Sequence, residues 1–356
     1  MDHSKGVMYN SKREGTYRIL GRGKHQWAWD VLPKYLKQIS PDLLFVLCDM
    51  FMIPNVVNLD LSPAKFLMYF PSDGDPFPVR GNEDSIKVLK KSDYPVAMSK
   101  FAKGQYDKYI GDGRCKYIPH GVECDSFRPF KEGDKLALRK SWSKRFGIDL
   151  TDKFIVGAVG RFQGRKAHPE LIKSFADFAK DKKDVVLLMN CDPTDPAGSM
   201  VDIGNLIQRY KLHGKIFFTG TELHKGFADS DMPSIYNLFD VHALATTGEG
   251  FGIPTIEAMA CGIPSILTDY TTTKELVIDN NCGWGIPLVT TITGTYNVER
   301  GFVNKKKFTD KLNELYADRS ELKEKADNCR PYALKTFNFD SVVFPKWNKL
   351  IHEVLE

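Results

Sequence analysis

The chain has 356 residues, a length that favours two domains of similar size over a single module. Its hydrophobic share of 42% and charged share of 27% are those of an ordinary globular protein, which excludes disorder and collagen-like structure. The 50 lysines and arginines exceed the 45 aspartates and glutamates by five, spread along the chain without a long basic block, and so mild an excess does not imply a nucleic-acid partner. The longest apolar runs, Leu43 to Cys48 and Met50 to Ile53, are cut by Asp49 and Pro54 far short of the ~18 residues that a membrane span needs. The seven cysteines are scattered and form no Cys-x-x-Cys pair, which fits a reducing compartment. The polar opening MDHSKGVMYNSKREG lacks the apolar centre of an export signal, so the expected location is cytoplasmic. Lysines 34 to 37 and 87 to 91 leave open a peripheral contact with anionic lipid, although a solvated helix face accounts for such sparse charge.

In chain order, short apolar runs alternate with amphipathic stretches: TYRIL, then WDVLPKYLKQI; DLLFVL; KFLMYF; PVAM, then SKFAKGQYDKYI; CKYI. This alternation predicts α/β layers with a parallel sheet. It breaks at residues 128 to 153, where RPFKEGDKLALRKSWSKRFGIDLTDK reads as a charged linker carrying one surface helix. A second series follows: FIVGAV, a helix from 168 to 180, VVLLMN, a helix near 201 to 212, KIFFT, a helix near 232 to 238, VHALA and PSIL. FDSVVFPKWNKLIHEVL reads as a closing helix. In a doubly wound sheet, ligands sit at the carboxyl ends of the strands.

The densest chemical signal is TTGEGFGIPTIEAMACGIPSI, residues 246 to 266, which turns from a strand through three glycines into a helix near Pro254. Glycines let backbone N–H groups approach a ligand, and a helix N-terminus presents unpaired N–H groups and a positive dipole end to an anion. Gly250, Phe251, Gly252, Ile253 and Pro254 are therefore candidate phosphate contacts. Glu249 and Glu257 border the same turn and are suited to accepting hydrogen bonds from sugar or ribose hydroxyls. A glycine-rich turn also occurs for packing alone, and a helix glutamate is often simply solvated.

The string GEGFGIPTIEAMACGIPSI resembles the signature of the retaining glycosyltransferases of family 4, whose two glutamates stand at the spacing of Glu249 and Glu257. GAVGRFQGRKAHPELIKSFADF, residues 157 to 178, resembles that family's basic segment, with Arg161 and Lys166 at the matching positions and Arg165 adding a third charge. CKYIPHGVECDSFRPF resembles the exit from the N-terminal domain, where His120 is expected to pack and Gly121 to turn. In SDYPVAMSKFAK, Ser99 is expected to cap a helix. The likeness runs from about residue 30 to the end and is strongest between 154 and 278.

The resemblance implies a GT-B fold, two Rossmann-like domains with parallel sheets facing across a cleft. Residues 1–145 would form a shortened acceptor-side domain, 146–335 the donor domain, and 336–356 a closing helix returning to the first. It implies transfer of a sugar from a GDP-, UDP- or ADP-sugar to a hydroxyl acceptor with retention of configuration, and no further cofactor or metal. Arg161 and Lys166 would hold the diphosphate, Glu249 the sugar, Glu257 the ribose, and Leu223 in TGTEL would border the base, near Tyr236 and Asp240. Asp73 in YFPSDGDPFPVR falls where the family often carries an acidic residue in the sugar pocket, and it equally fits a turn. GRGK at 21 to 24 lacks the context of a phosphate loop. With the acceptor half shortened, acceptor recognition would be supplied by a partner subunit or be lost; the alternatives are a nucleotide-sugar-binding module without transferase activity and a nucleotide-sugar epimerase.

Overall fold

The computed structural model describes residues 7–11, 15–21, 23–25, 27–49, 52, 54–75, 83–195, 197, 201–220 and 227–356. Two strands open the chain, β1 (Val7–Ser11) and β2 (Gly15–Ile19), paired antiparallel and separate from both large sheets. TYRIL is thus a strand, as its pattern suggests, but a hairpin strand and not the first of the parallel series. Beside it the Lys24 and His25 amides donate to the Asp30 carboxylate at 2.7 and 3.2 Å, and Arg22 of GRGK lies outside the described residues.

The N-terminal half is a four-stranded parallel sheet, β3 (Leu43–Leu47), β4 (Lys65–Phe70), β5 (Tyr94–Ala97) and β6 (Lys116–Tyr117), in sequential order. Runs such as KFLMYF form interior strands because both faces are covered, and from Phe66 to Phe70 every residue of β4 is buried. β3 lies at the edge, where Phe45 and Leu47 remain exposed. Ser99 caps the helix Lys100–Ile110, accepting from the Ala102 amide at 3.0 Å.

The 128–153 segment is more than a linker. Its helix, Glu132–Phe146, buries Trp142 and Arg139. The Arg139 guanidinium donates to the carbonyls of Thr151, Lys153 and Leu238 and pairs with Asp240 at 2.9 Å. A charged residue reads as surface in a sequence. Here the charge meets three carbonyls and one carboxylate, which pin the helix to the second sheet.

That sheet holds β7 (Phe154–Val159), β8 (Val185–Asn190), β9 (Ile216–Phe218), β10 (Val241–Leu244), β11 (Ser265–Thr268) and β12 (Gly283–Ile286), all parallel, in the order β12-β11-β10-β7-β8-β9. The order reverses between β7 and β10, which opens a crevice at their carboxyl ends. After β12 an antiparallel hairpin, β13 (Leu288–Thr293) and β14 (Glu299–Val303), stands apart from the sheet. Two helices follow, Lys305–Ala317 and Ser320–Thr336. After a single wide turn at Phe339–Val343, the last helix, Phe344–Leu355, sets Trp347 edge-on against Tyr69 and Phe45, at 4.7 and 5.4 Å between ring centroids. One buried apolar cluster runs from Leu67 and Tyr69 of the first sheet through Ile155 and Leu244 of the second to Val354, so the halves share a core. Among the described residues no helix is long and apolar enough to cross a membrane.

Candidate functional site

The crevice is built from the loops leaving β7 and β10. Residues 160–167 run from the first strand into the helix His168–Ala179, and residues 245–252 run from the second into the helix Ile253–Ala260. The loops are tied together: the Thr247 amide and hydroxyl both donate to the Arg165 carbonyl, at 2.8 and 3.0 Å. Gly252, at φ +109°, turns the chain into its helix, and no side chain caps that N-terminus, where Pro254 occupies the first turn. Gly248 meets the other half of the molecule so closely that a Cβ there would stand 1.9 Å from the Asp73 carbonyl oxygen.

A buried ionic cluster lies between these loops. Lys166 Nζ donates to both carboxylate oxygens of Glu249, at 2.7 and 2.8 Å, and both residues are under one-tenth exposed. Arg165 Nη1 donates to Glu249 Oε2 at 3.2 Å and to the Gly248 carbonyl at 3.0 Å. Burial works to raise the Glu249 carboxyl, but Lys166 and then Arg165 outweigh it and hold its pKa below the ordinary carboxylate value. The Thr271 hydroxyl accepts from the Glu249 amide at 3.0 Å, fixing the backbone at that residue.

From the N-terminal half, Asp73 enters the cluster at the end of β4. Its carboxylate pairs with Arg165 Nε at 3.3 Å and with Arg300 Nη1 at 2.9 Å, and its carbonyl accepts from Arg300 at 2.8 Å. Asp49, just beyond β3, is within electrostatic reach: burial and Asp73 raise its carboxyl, while Arg165 and Arg300 pull it down.

The sequence-expected residues are distributed unevenly. Glu249, Lys166 and Asp73 come together. Arg161 does not join them: its side chain is exposed and pairs with Asp195 at 2.6 Å, while Arg165, four residues on, occupies the cluster. Glu257 lies half-buried on the helix Ile253–Ala260 and accepts from the Tyr236 hydroxyl at 2.5 Å. Gly250 packs on Pro71, Phe251 is buried against His120 and Phe337, and Ile253 is exposed at the helix start. Leu223 lies outside the described residues. Asp240 is structural, pairing with Arg139 and accepting from the Ile155 amide at 2.7 Å. His120 packs between Tyr69 and Phe251, with burial pushing its pKa down to about 4. Arg300 was carried by no motif; its signal, a lone arginine in a polar hairpin, has no local pattern. Among the described residues there is no group of three or more His, Cys, Asp or Glu side chains arranged to hold a metal ion.

Comparison with known proteins agrees with this architecture. Sucrose-phosphate synthase from Thermosynechococcus elongatus superimposes with a TM-score of 0.73 at 18% identity, covering 98% of this chain and 85% of that one. HepE from Anabaena, solved in complex with UDP, superimposes with a TM-score of 0.70 at 15% identity, covering 90% of this chain and 82% of that one. These likenesses establish the GT-B fold, two α/β halves with parallel sheets. Mannosylfructose-phosphate synthase from Agrobacterium fabrum is 27% identical over 214 residues, 56% of this chain and 44% of that protein. The chain spans about half the length of the curated relatives it matches, 46%, 44% and 41% for three of them. The family profile described as "Glycosyl transferases group 1" matches residues 139–336, more than half of the chain and the whole of the crevice loops. On that match the chain belongs to the family of group 1 glycosyl transferases.

Proposed function

We propose that this protein is a glycosyltransferase that moves a sugar from a nucleoside diphosphate sugar to a hydroxyl acceptor, with the anomeric configuration retained. The observation that carries the reading is the buried Lys166–Glu249 pair, 2.7 Å apart, at the strand reversal beside an uncapped helix N-terminus. A carboxylate for hydroxyls and an ammonium for phosphate then stand side by side where a sugar diphosphate would bind. The glycosyltransferase names of the curated relatives support the reaction class, and the UDP complex of HepE supports a nucleoside diphosphate, with UDP the first candidate ahead of GDP and ADP.

In this reading, residues 1–145 form the acceptor side, 146–335 the donor domain, and 336–356 return to the first. Lys166 neutralises the diphosphate as its charge grows, and Arg161 joins it when it exchanges Asp195 for phosphate. The backbone of Gly250 to Ile253 donates to a phosphate, with the helix dipole behind it. Glu249 accepts from the sugar hydroxyls, Glu257 from the ribose, and Asp73 closes the sugar pocket from the opposite half. The bond between the anomeric carbon and the diphosphate oxygen breaks, and the acceptor oxygen bonds to that carbon from the same face. Its proton passes to the departing phosphate oxygen, so no side chain has to serve as base. The cations of the cluster carry the charge stabilisation, and no metal ion is assigned a step. The site of action is cytoplasmic, with any membrane contact peripheral.

The test is a melting series with UDP, GDP, ADP and their sugar conjugates, followed by NMR of the product formed with the donor that binds. Stabilisation by one base and a product of unchanged anomeric configuration support the reading; an inverted product refutes retention, and stabilisation by none refutes the donor site.

A further inference from the structure

The hairpin β13–β14 lies beside both crevice loops, the one that carries Arg165 and the one that carries Thr247. The Gly301 amide donates to the Thr247 carbonyl at 2.9 Å, and Arg300 reaches across to Asp73. Between hairpin and loop lies a cleft of about 440 Å³ whose walls include Gln163, Arg165, Ile292, Thr295, Arg300 and Phe302. That volume is within the ~300–1,000 Å³ of small-molecule sites. Its chemistry is two-sided. Ile292 and Phe302 offer apolar surface, while two guanidinium groups and the polar side chains of Gln163 and Thr295 offer hydrogen bonds.

The charges are unevenly matched. Among the described residues of the cluster, three cations, Arg165, Arg300 and Lys166, share two carboxylates in direct contact, Asp73 and Glu249. Asp49 is a further carboxylate within electrostatic reach, its pKa raised by burial and then by Asp73. Two planar guanidinium forks around a shared opening suit a phosphate, which carries ~1.5–2 negative charges and three acceptor oxygens near neutral pH. Arg165 also touches Glu249 at 3.2 Å, so a molecule gripped by Arg165 lies beside the sugar end of the donor.

We propose that this cleft is the acceptor site, and that it selects a hydroxylated ring bearing a phosphate, with Arg300 and Arg165 holding the phosphate and Phe302 and Ile292 covering the apolar face. The inference rests on the transferase reading above and adds the acceptor class to it. Arg300 is then a specificity-determining residue supplied by the hairpin.

The experiment measures melting of the full chain saturated with the nucleotide that stabilises it, so that the donor's phosphate contacts are occupied. Glucose 6-phosphate, myo-inositol 1-phosphate, their unphosphorylated counterparts and phosphatidylinositol vesicles are then added. A phosphorylated probe at tenfold its dissociation constant raises the midpoint by about 2 °C or more, and the neutral compounds do not. Arg300→Gln abolishes that increment, and so does Thr295→Trp, which fills the cleft without touching the Asp73 pair. A response to the vesicles alone assigns the phosphate to a lipid headgroup, and a response to the soluble probes assigns it to a free sugar phosphate. A nucleotide that stabilises the protein with no added effect of any phosphorylated probe overturns the acceptor site and leaves the donor reading intact. An increment that both variants keep overturns it in the same way. If no nucleotide stabilises the protein, the transferase reading fails first.

Discussion

Replacing Lys166 with methionine keeps the length of the side chain and removes the ammonium from a carboxylate that is 8% exposed. Removing one partner of a buried pair costs ~3–5 kcal/mol because the other charge is left without compensation. Arg165, still 3.2 Å from Glu249 Oε2, offsets part of that, so about 2–3 kcal/mol is expected at pH 7.5. In the wild type the Glu249 pKa is below its ordinary value, so its stabilisation is present above the unfolded pKa and is lost only as pH falls through the depressed folded value. In the variant, burial is opposed by Arg165 without Lys166, and the folded pKa rises above the unfolded one. The deficit of the variant should therefore shrink as pH falls from 7.5 to 5, because the folded carboxyl takes up a proton. Urea unfolding followed by tryptophan fluorescence across that range measures it, and adding Glu249→Gln to the variant should recover most of the loss. A deficit that is constant with pH, or a double variant no more stable than the single one, refutes the buried pair as the source of the effect.

Glu249→Gln alone should cut transfer at least a hundredfold while nucleoside diphosphate affinity, read by calorimetry, changes less than threefold; equal loss of both contradicts its contact with the sugar. Arg161→Ala should leave stability within about 0.5 kcal/mol, since its pair with Asp195 is exposed, and any effect should fall on nucleotide affinity. Arg139→Ala, which takes the cation from Asp240, leaving it the Ile155 amide, and a donor from each of three carbonyls, should cost about 3 kcal/mol in urea unfolding, and a loss under 1 kcal/mol would show that the helix Glu132–Phe146 is not pinned this way. Burial pushes His120 and His168 down to about 4 and His242 to about 3. Because these folded pKa values lie below the unfolded value near 6.5, stability should fall as pH drops from 6.5 towards 4, by about 2 kcal/mol for each at pH 5. A stability that is flat from pH 6.5 to 5 contradicts their burial as neutral rings.

The parallel strands were legible because strands covered on both faces are written as unbroken apolar runs. FIVGAV and VVLLMN became β7 and β8 with every or nearly every residue buried. The string from Thr246 to Ile266 was legible for a related reason: glycines and a helix start together mark a backbone that must approach something closely, and Gly248 does so against Asp73. Side-chain direction was not legible. Spacing located Arg161 and Lys166 along the chain but not the competing carboxylate of Asp195, so Arg161 turned outward and Arg165 inward. Contacts across 227 residues, such as Arg300 with Asp73, have no local trace at all. The hairpin escapes a sequence reading because most of β13 faces solvent and supplies no apolar period. Arg139 reads as surface because a buried arginine betrays itself only through its partners.

Calorimetric titration of UDP, GDP and ADP into the wild type and into Lys166→Met probes the donor site itself. One of the three nucleotides should bind the wild type, and the variant should bind it about tenfold or more weaker, the worth of one charge-assisted contact of ~1.5–3 kcal/mol. Equal affinity for both proteins, or no binding of any nucleotide at millimolar concentration, would contradict a diphosphate held by Lys166.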